Sequence, residues 1–174
     1  TAHLAGRISL NPIKHIDPFG TILVPALMMM AGGILFGWAK PVPVDFSRLR
    51  NPKRDMLWVA AAGPASNLVM AILWVFALKF SAGLPTYIGV PLELMAQAGV
   101  MINVVLMVLN LLPLPPLDGG RIAVSLLPHD LAYRYAKVER YGFIILIVLL
   151  FTGILAKILQ PFIFGVISLI SWLF

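Results

Sequence analysis

The chain has 174 residues, of which 60% are hydrophobic and 11% charged, with a mean hydropathy of +0.96 and a formal net charge of +6. Soluble domains carry about 25% charged residues, so this composition excludes a soluble globular domain and describes an integral membrane protein. The basic residues fall between apolar runs, where they act as topology signals and not as a nucleic-acid surface, and the absence of cysteine excludes disulfides and thiolate metal sites.

Residues 1 to 18 mix charged and apolar side chains. Leu4 to Leu10 reads as a short strand, with turns at Asn11-Pro12 and Asp17-Pro18. His3 and His15 stand too far apart for the helical i, i+4 metal pair and read as loop or interfacial residues. From Phe19 to Ala39 no charge occurs, enough for the roughly 20 residues that cross a bilayer. Pro25 and Gly32-Gly33 interrupt that run, so it is either a spanning helix or a re-entrant hairpin, and Met28 to Met30 is packing material. Lys40 to Asp55 is polar and basic, starts extended at Pro41-Val42-Pro43, and belongs in the cytoplasm by the positive-inside rule.

Met56 to Leu78 reads as a transmembrane helix containing Gly63-Pro64-Ala65-Ser66-Asn67. Small residues there permit close helix approach, and Asn67 is either an interhelical hydrogen bonder or a functional polar group. Lys79 to Glu93 is expected to be the extracytoplasmic turn, and Leu94 to Leu112 to return across the membrane with Asn103 and Asn110 as its polar points. Next comes Asn110-Leu-Leu-Pro-Leu-Pro-Pro-Leu-Asp-Gly-Gly-Arg121. Three prolines end the helix here. Irregular backbone at bilayer depth survives only where protein buries it or it lines a wet cavity. A carboxylate in that setting needs a cation, which for Asp118 is a metal ion or Arg121; an ordinary Pro-rich turn is the bland alternative.

Ile122 to Arg140 reads as a short amphipathic interfacial helix interrupted at Pro128, with His129-Asp130 as a cap and solvated turn. Tyr133, Tyr135 and Tyr141 read as interfacial anchors. Gly142 to Phe174 is apolar apart from Lys157, and Pro161 divides it. The expected fold is an all-α polytopic membrane protein, a transmembrane helix bundle of about four to six membrane segments with a short extended or re-entrant N-terminal region. It forms one membrane-embedded domain over 1–174, made of an N-terminal region and cytoplasmic loop (1–55), core helices (56–126) and C-terminal helices (127–174).

Gly63-Pro-Ala-Ser-Asn67 on one membrane helix, followed by Asn110-Leu-Leu-Pro…Asp118-Gly at the end of the next, resembles the site-2 protease family of intramembrane zinc metallopeptidases. The pair covers roughly residues 56 to 126, and Asp17-Pro-Phe-Gly20 with Pro-Val-Pro resembles a bacterial branch. The resemblance implies Zn2+ as cofactor, Asp118 as the third zinc ligand, and Asn67 and Asn110 as residues that position substrate or the oxyanion. It also implies two histidine ligands and a glutamate general base from a His-Glu-x-x-His helix. That motif occurs nowhere in the chain, and His3, His15 and His129 do not replace it. Since the chain opens on Thr1, the motif is expected upstream. A non-catalytic membrane scaffold, or a family member lacking the catalytic helix, is the alternative. A transporter is disfavoured because the sequence has no internal repeat. Expected partners are a transmembrane protein substrate and the lipid bilayer, with no nucleic acid, in a bacterial inner membrane with the active site toward the cytoplasm. The extended segments near Leu4 to Leu10 and Pro41 to Val44 are candidate edges for a substrate strand.

Overall fold

The computed structural model describes residues 11, 13, 16–30 and 51–173. The expected strand at Leu4 to Leu10, His3, His15, Gly32-Gly33 and the Pro41 to Val44 segment lie outside the described residues. The chain divides into two compact units, Thr1–Leu49 and Arg50–Phe174.

In the first unit Asp17 caps a helical start. Its Oδ1 accepts hydrogen bonds from the backbone N–H groups of Phe19 (2.9 Å) and Gly20 (3.0 Å), satisfying two donors that a helix start leaves without partners. A π-helical segment, Pro18–Leu23, runs directly into α1, Val24–Met30. Pro25 therefore does not interrupt the helix: it lies within the continuous helical run from Pro18 to Met30.

The second unit is built on an antiparallel hairpin of two membrane helices, α2 (Pro52–Ser81) and α3 (Thr86–Asn110). Pro52 stands at the start of α2, where its fixed φ suits the helix, and Asp55 Oδ2 reaches back 3.1 Å to accept from the Asn51 N–H. At about 1.5 Å per residue, either helix exceeds the roughly 30 Å hydrocarbon core. Pro64 is buried inside α2 without ending it. The turn between the helices is shorter than the sequence suggested. Leu84 N–H donates to the Ser81 carbonyl at 3.1 Å, and α3 begins after Pro85. The expected loop over Lys79 to Glu93 is thus corrected: Gly83 and Pro85 make the turn and Pro91 lies within α3, where Gln97 also donates to Glu93 one turn away (3.1 Å).

Beyond the Pro-rich turn follow α4 (Asp118–Leu126), α5 (His129–Ala136), α6 (Glu139–Phe151) and α7 (Ile154–Leu173). The interruption at Pro128 is found as expected, since it separates α4 from α5. The division of the last apolar run is not where it was expected. Pro161 lies inside α7, and the break falls at Gly153, whose φ of +71° is the left-handed conformation that ends helices. Among the described residues three helices are long and apolar enough to span a membrane, Pro52–Ser81, Thr86–Asn110 and Ile154–Trp172. These are three of the four to six segments expected.

The core lies where α2, α3 and α7 meet. Ala71 and Val75 pack with Val104, Met107 and Val108 of α3 and with Leu155, Leu159 and Ile170 of α7, and Leu146 and Leu149 of α6 close one side. Most other apolar side chains on these helices face outward, Trp58, Phe76, Leu94 and Phe164 among them, as a lipid-facing surface requires. The hairpin brings the start of α2 to the same end as the close of α3, so α4 packs against α2.

Candidate functional site

The Pro-rich turn has few ways to hold itself. Pro113, Pro115 and Pro116 carry no N–H, so its internal bonds are sparse: Leu114 N–H to the Leu112 carbonyl (2.7 Å) and Leu117 N–H to the Leu114 carbonyl (2.9 Å). Close packing on glycine supplies the rest. Gly119 and Gly120, both buried, lie directly against the backbone of Leu111, Leu112, Leu114 and Pro115. A side chain at either position would meet main-chain atoms, which cannot swing aside. Gly142 of α6 also lies directly against Pro115 and Pro116. Tyr135 of α5 donates its hydroxyl to the Pro113 carbonyl. No local sequence signal marks Gly142 or the Tyr135–Pro113 contact. Tyr133 and Tyr141 are exposed, while Tyr135 is half-buried and turned onto the Pro-rich turn.

This bracing sets Asp118 at the first position of α4, half-buried and turned toward α2. A Cβ at Gly63 would stand 2.5 Å from Asp118 Oδ2 and 3.5 Å from its Cγ. The two sequence motifs therefore meet in space: the glycine of the first makes room for the carboxylate of the second. Burial pushes the Asp118 carboxyl above its ordinary value, and the Arg121 guanidinium one turn along α4 draws it back down. A second long-range tie holds this end of the unit, as Lys53 Nζ donates to the Leu127 carbonyl at 2.7 Å, joining the start of α2 to the connector before α5.

Asn67 lies one turn along α2 from Gly63 and is half-buried; Asn110 closes α3 and is half-buried. Neither side chain has a protein hydrogen-bond partner among the described residues, whereas Asn103 spends its amide on the Gly99 carbonyl of its own helix (2.7 Å). His129 stands at the start of α5, exposed, and lines a shallow cleft of about 560 Å³ with Lys53 and Arg54. An apolar groove of about 710 Å³ between the end of α3 and α7, lined by Leu111, Pro113, Pro161 and Phe162, has no charged residue in its wall and does not include Asp118. For a metal ion the donor chemistry fits one position, a carboxylate with Oδ2 turned to a glycine. No group of three His, Cys, Asp or Glu forms among the described residues, so by themselves they do not complete a metal site.

The family model described as Peptidase family M50 matches residues 88–153, which takes in the end of α3, the Pro-rich turn and Asp118. YwhC of Bacillus subtilis, named as a zinc metalloprotease by assignment, is 40% identical over 173 residues, 92% of this chain and 72% of that protein. The chain belongs to peptidase family M50, the site-2 protease family. Two further relatives, the Rip2 proteins of Mycolicibacterium smegmatis and Mycobacterium tuberculosis (strain H37Rv), are named in the same way. They are 33% and 30% identical over 158 and 174 residues. The chain spans 56% and 60% of their lengths, against 72% of YwhC. No solved structure matches the chain.

Proposed function

We propose that this M50 protein is an intramembrane zinc metalloendopeptidase that hydrolyses peptide bonds in or near transmembrane segments of other membrane proteins. The observation that carries the reading is the meeting of Asp118, at the start of α4, with Gly63 of the membrane helix α2. An ionisable group there is costly and calls for a cation, and the carboxylate can pack this closely on α2 only because no side chain stands at Gly63. Zinc, when bound, lowers the pKa of water to about 7 and polarises the scissile carbonyl. Asp118 is one of its ligands, and the remaining ligands lie outside the described residues.

The chain's own residues do the positioning. A substrate helix must unwind locally to expose a peptide bond, and its freed backbone groups must then find partners in a medium without water. The amides of Asn67 and Asn110, which have no protein partner among the described residues, supply such donors and acceptors, either to the substrate backbone or to the developing oxyanion. Arg121, Arg134, Lys137 and Arg140 follow Asp118 closely in sequence, which supports a cytoplasmic face for the site in a bacterial inner membrane. The partners are then a transmembrane protein substrate and the bilayer.

The test is cleavage of a fluorescently tagged transmembrane peptide in liposomes containing the full-length protein. Asp118→Ala abolishes cleavage, and Asn67→Ala or Asn110→Ala lowers kcat by roughly 100-fold if that amide serves the oxyanion. Full cleavage by Asp118→Ala would remove the ligand assignment. A wild-type protein that neither cleaves nor holds zinc would be the non-catalytic scaffold.

A further inference from the structure

Tyr135 stands apart from the other tyrosines of the C-terminal helices. It shares the inner face of α5 with buried Ala132, three residues before it, and its hydroxyl donates to the carbonyl of Pro113, 22 residues away in sequence. Pro113 is five residues from Asp118 and lies in a turn that three prolines deprive of its own donors. Nearby, Gly142 of α6 sits against Pro115 and Pro116. The turn that carries Asp118 is therefore packed by Gly119 and Gly120 of α4 and by Tyr135 of α5 and Gly142 of α6.

We infer that Tyr135 is a positioning residue for the Asp118 carboxylate, acting through the Pro113 carbonyl to hold the Pro-rich turn in its metal-binding shape. The inference rests on Asp118 being a zinc ligand. Ligand oxygens lie about 2.0–2.2 Å from zinc, so a turn free to shift by a fraction of an ångström weakens the site without unfolding the helices. Residues that orient a ligand from outside the coordination shell typically matter 10- to 100-fold for metal affinity or activity. Tyr135 acts through one carbonyl and five residues of backbone, so an effect near the lower end, roughly five- to tenfold, is expected.

The experiment is retention of Zn2+ by the full-length protein in competition with a chelator of known affinity, with thermal unfolding of the same samples. Tyr135→Phe removes only the hydroxyl and is expected to weaken zinc retention roughly five- to tenfold with an unchanged Tm. Tyr135→4-aminophenylalanine, which keeps a donor at the same reach, restores it. Tyr133→Phe and Tyr141→Phe change nothing. Wild-type zinc retention in Tyr135→Phe, alongside loss in Asp118→Ala, would overturn the inference and leave the site reading standing. Unfolding of Tyr135→Phe would overturn it by placing the hydroxyl in the fold instead of the site. Undiminished zinc in Asp118→Ala would overturn the site reading itself.

Discussion

Gly63→Ala separates what the fold needs from what the site needs. The new Cβ would stand 2.5 Å from Asp118 Oδ2, while carbon and oxygen ordinarily approach to about 3.3 Å, so the carboxylate must retreat by roughly 0.8 Å. The clash falls on the far end of a short side chain and not on backbone, so the helices need not move. Inside α2 the substitution also exchanges the poorest ordinary helix former for the best, a gain of up to about 1 kcal/mol. A change of that size moves the Tm of a chain this long by about 2–4 °C. The site reads the same change differently, because a displacement near 1 Å at a reacting centre costs on the order of 100-fold in rate and exceeds the tolerance of a ligand bond. Gly63→Ala is therefore expected to be as stable as wild type or slightly more so, to bind zinc weakly, and to cleave a transmembrane peptide roughly 100-fold more slowly. Thermal unfolding and liposome cleavage on one preparation test both halves. Wild-type cleavage by Gly63→Ala would refute the claim that Asp118 works from its place against α2.

Gly119→Ala and Gly120→Ala behave in the opposite way. Their side chains would meet backbone of Leu111 to Pro115, so each is expected to cost 3 kcal/mol or about that, read as lost yield and a lowered Tm in detergent. Gly99→Ala drives a Cβ into the Trp74 indole between α2 and α3; it should destabilise by about 1–3 kcal/mol and shift tryptophan emission while leaving zinc affinity unchanged. Burial pushes the Tyr135 phenol above its ordinary value. Stability is then undiminished below the unfolded-state value near 10 and falls as pH rises past it, because the unfolded chain gives up the proton first. Tyr135→Phe should flatten that alkaline limb in pH-dependent unfolding.

Much of the architecture was legible because a bilayer leaves few choices. Long apolar runs must become helices, and α2 and α3 follow from that rule, while the pairing of their motifs came from the resemblance to the site-2 protease family. Proline predicts a break in places where the helix absorbs it. Pro91 and Pro161 lie inside α3 and α7, and the true boundaries are marked by Gly83 with Pro85 and by Gly153. The Thr-Gly at the end of α6 was the available signal, since a glycine after an apolar run is where a left-handed residue ends a helix. Asp118 could be picked out because a carboxylate among prolines needs a cation. Its environment could not. That Gly63 faces it, that Gly142 abuts Pro115, and that Tyr135 reaches Pro113 are contacts between distant parts of the chain, and no local pattern encodes them. Tyr135 looked like its neighbours Tyr133 and Tyr141; only the turn of α5 set it apart.

The central claim is that Asp118 holds zinc, and the most direct measurement is zinc content per chain of the full-length protein and of its Asp118→Ala variant, purified without chelator and quantified by mass spectrometry. One zinc per wild-type chain and little in the variant is expected, with both showing the same helical circular dichroism. Equal zinc in the two proteins would contradict it and return Asp118 to the role of a turn residue balanced by Arg121.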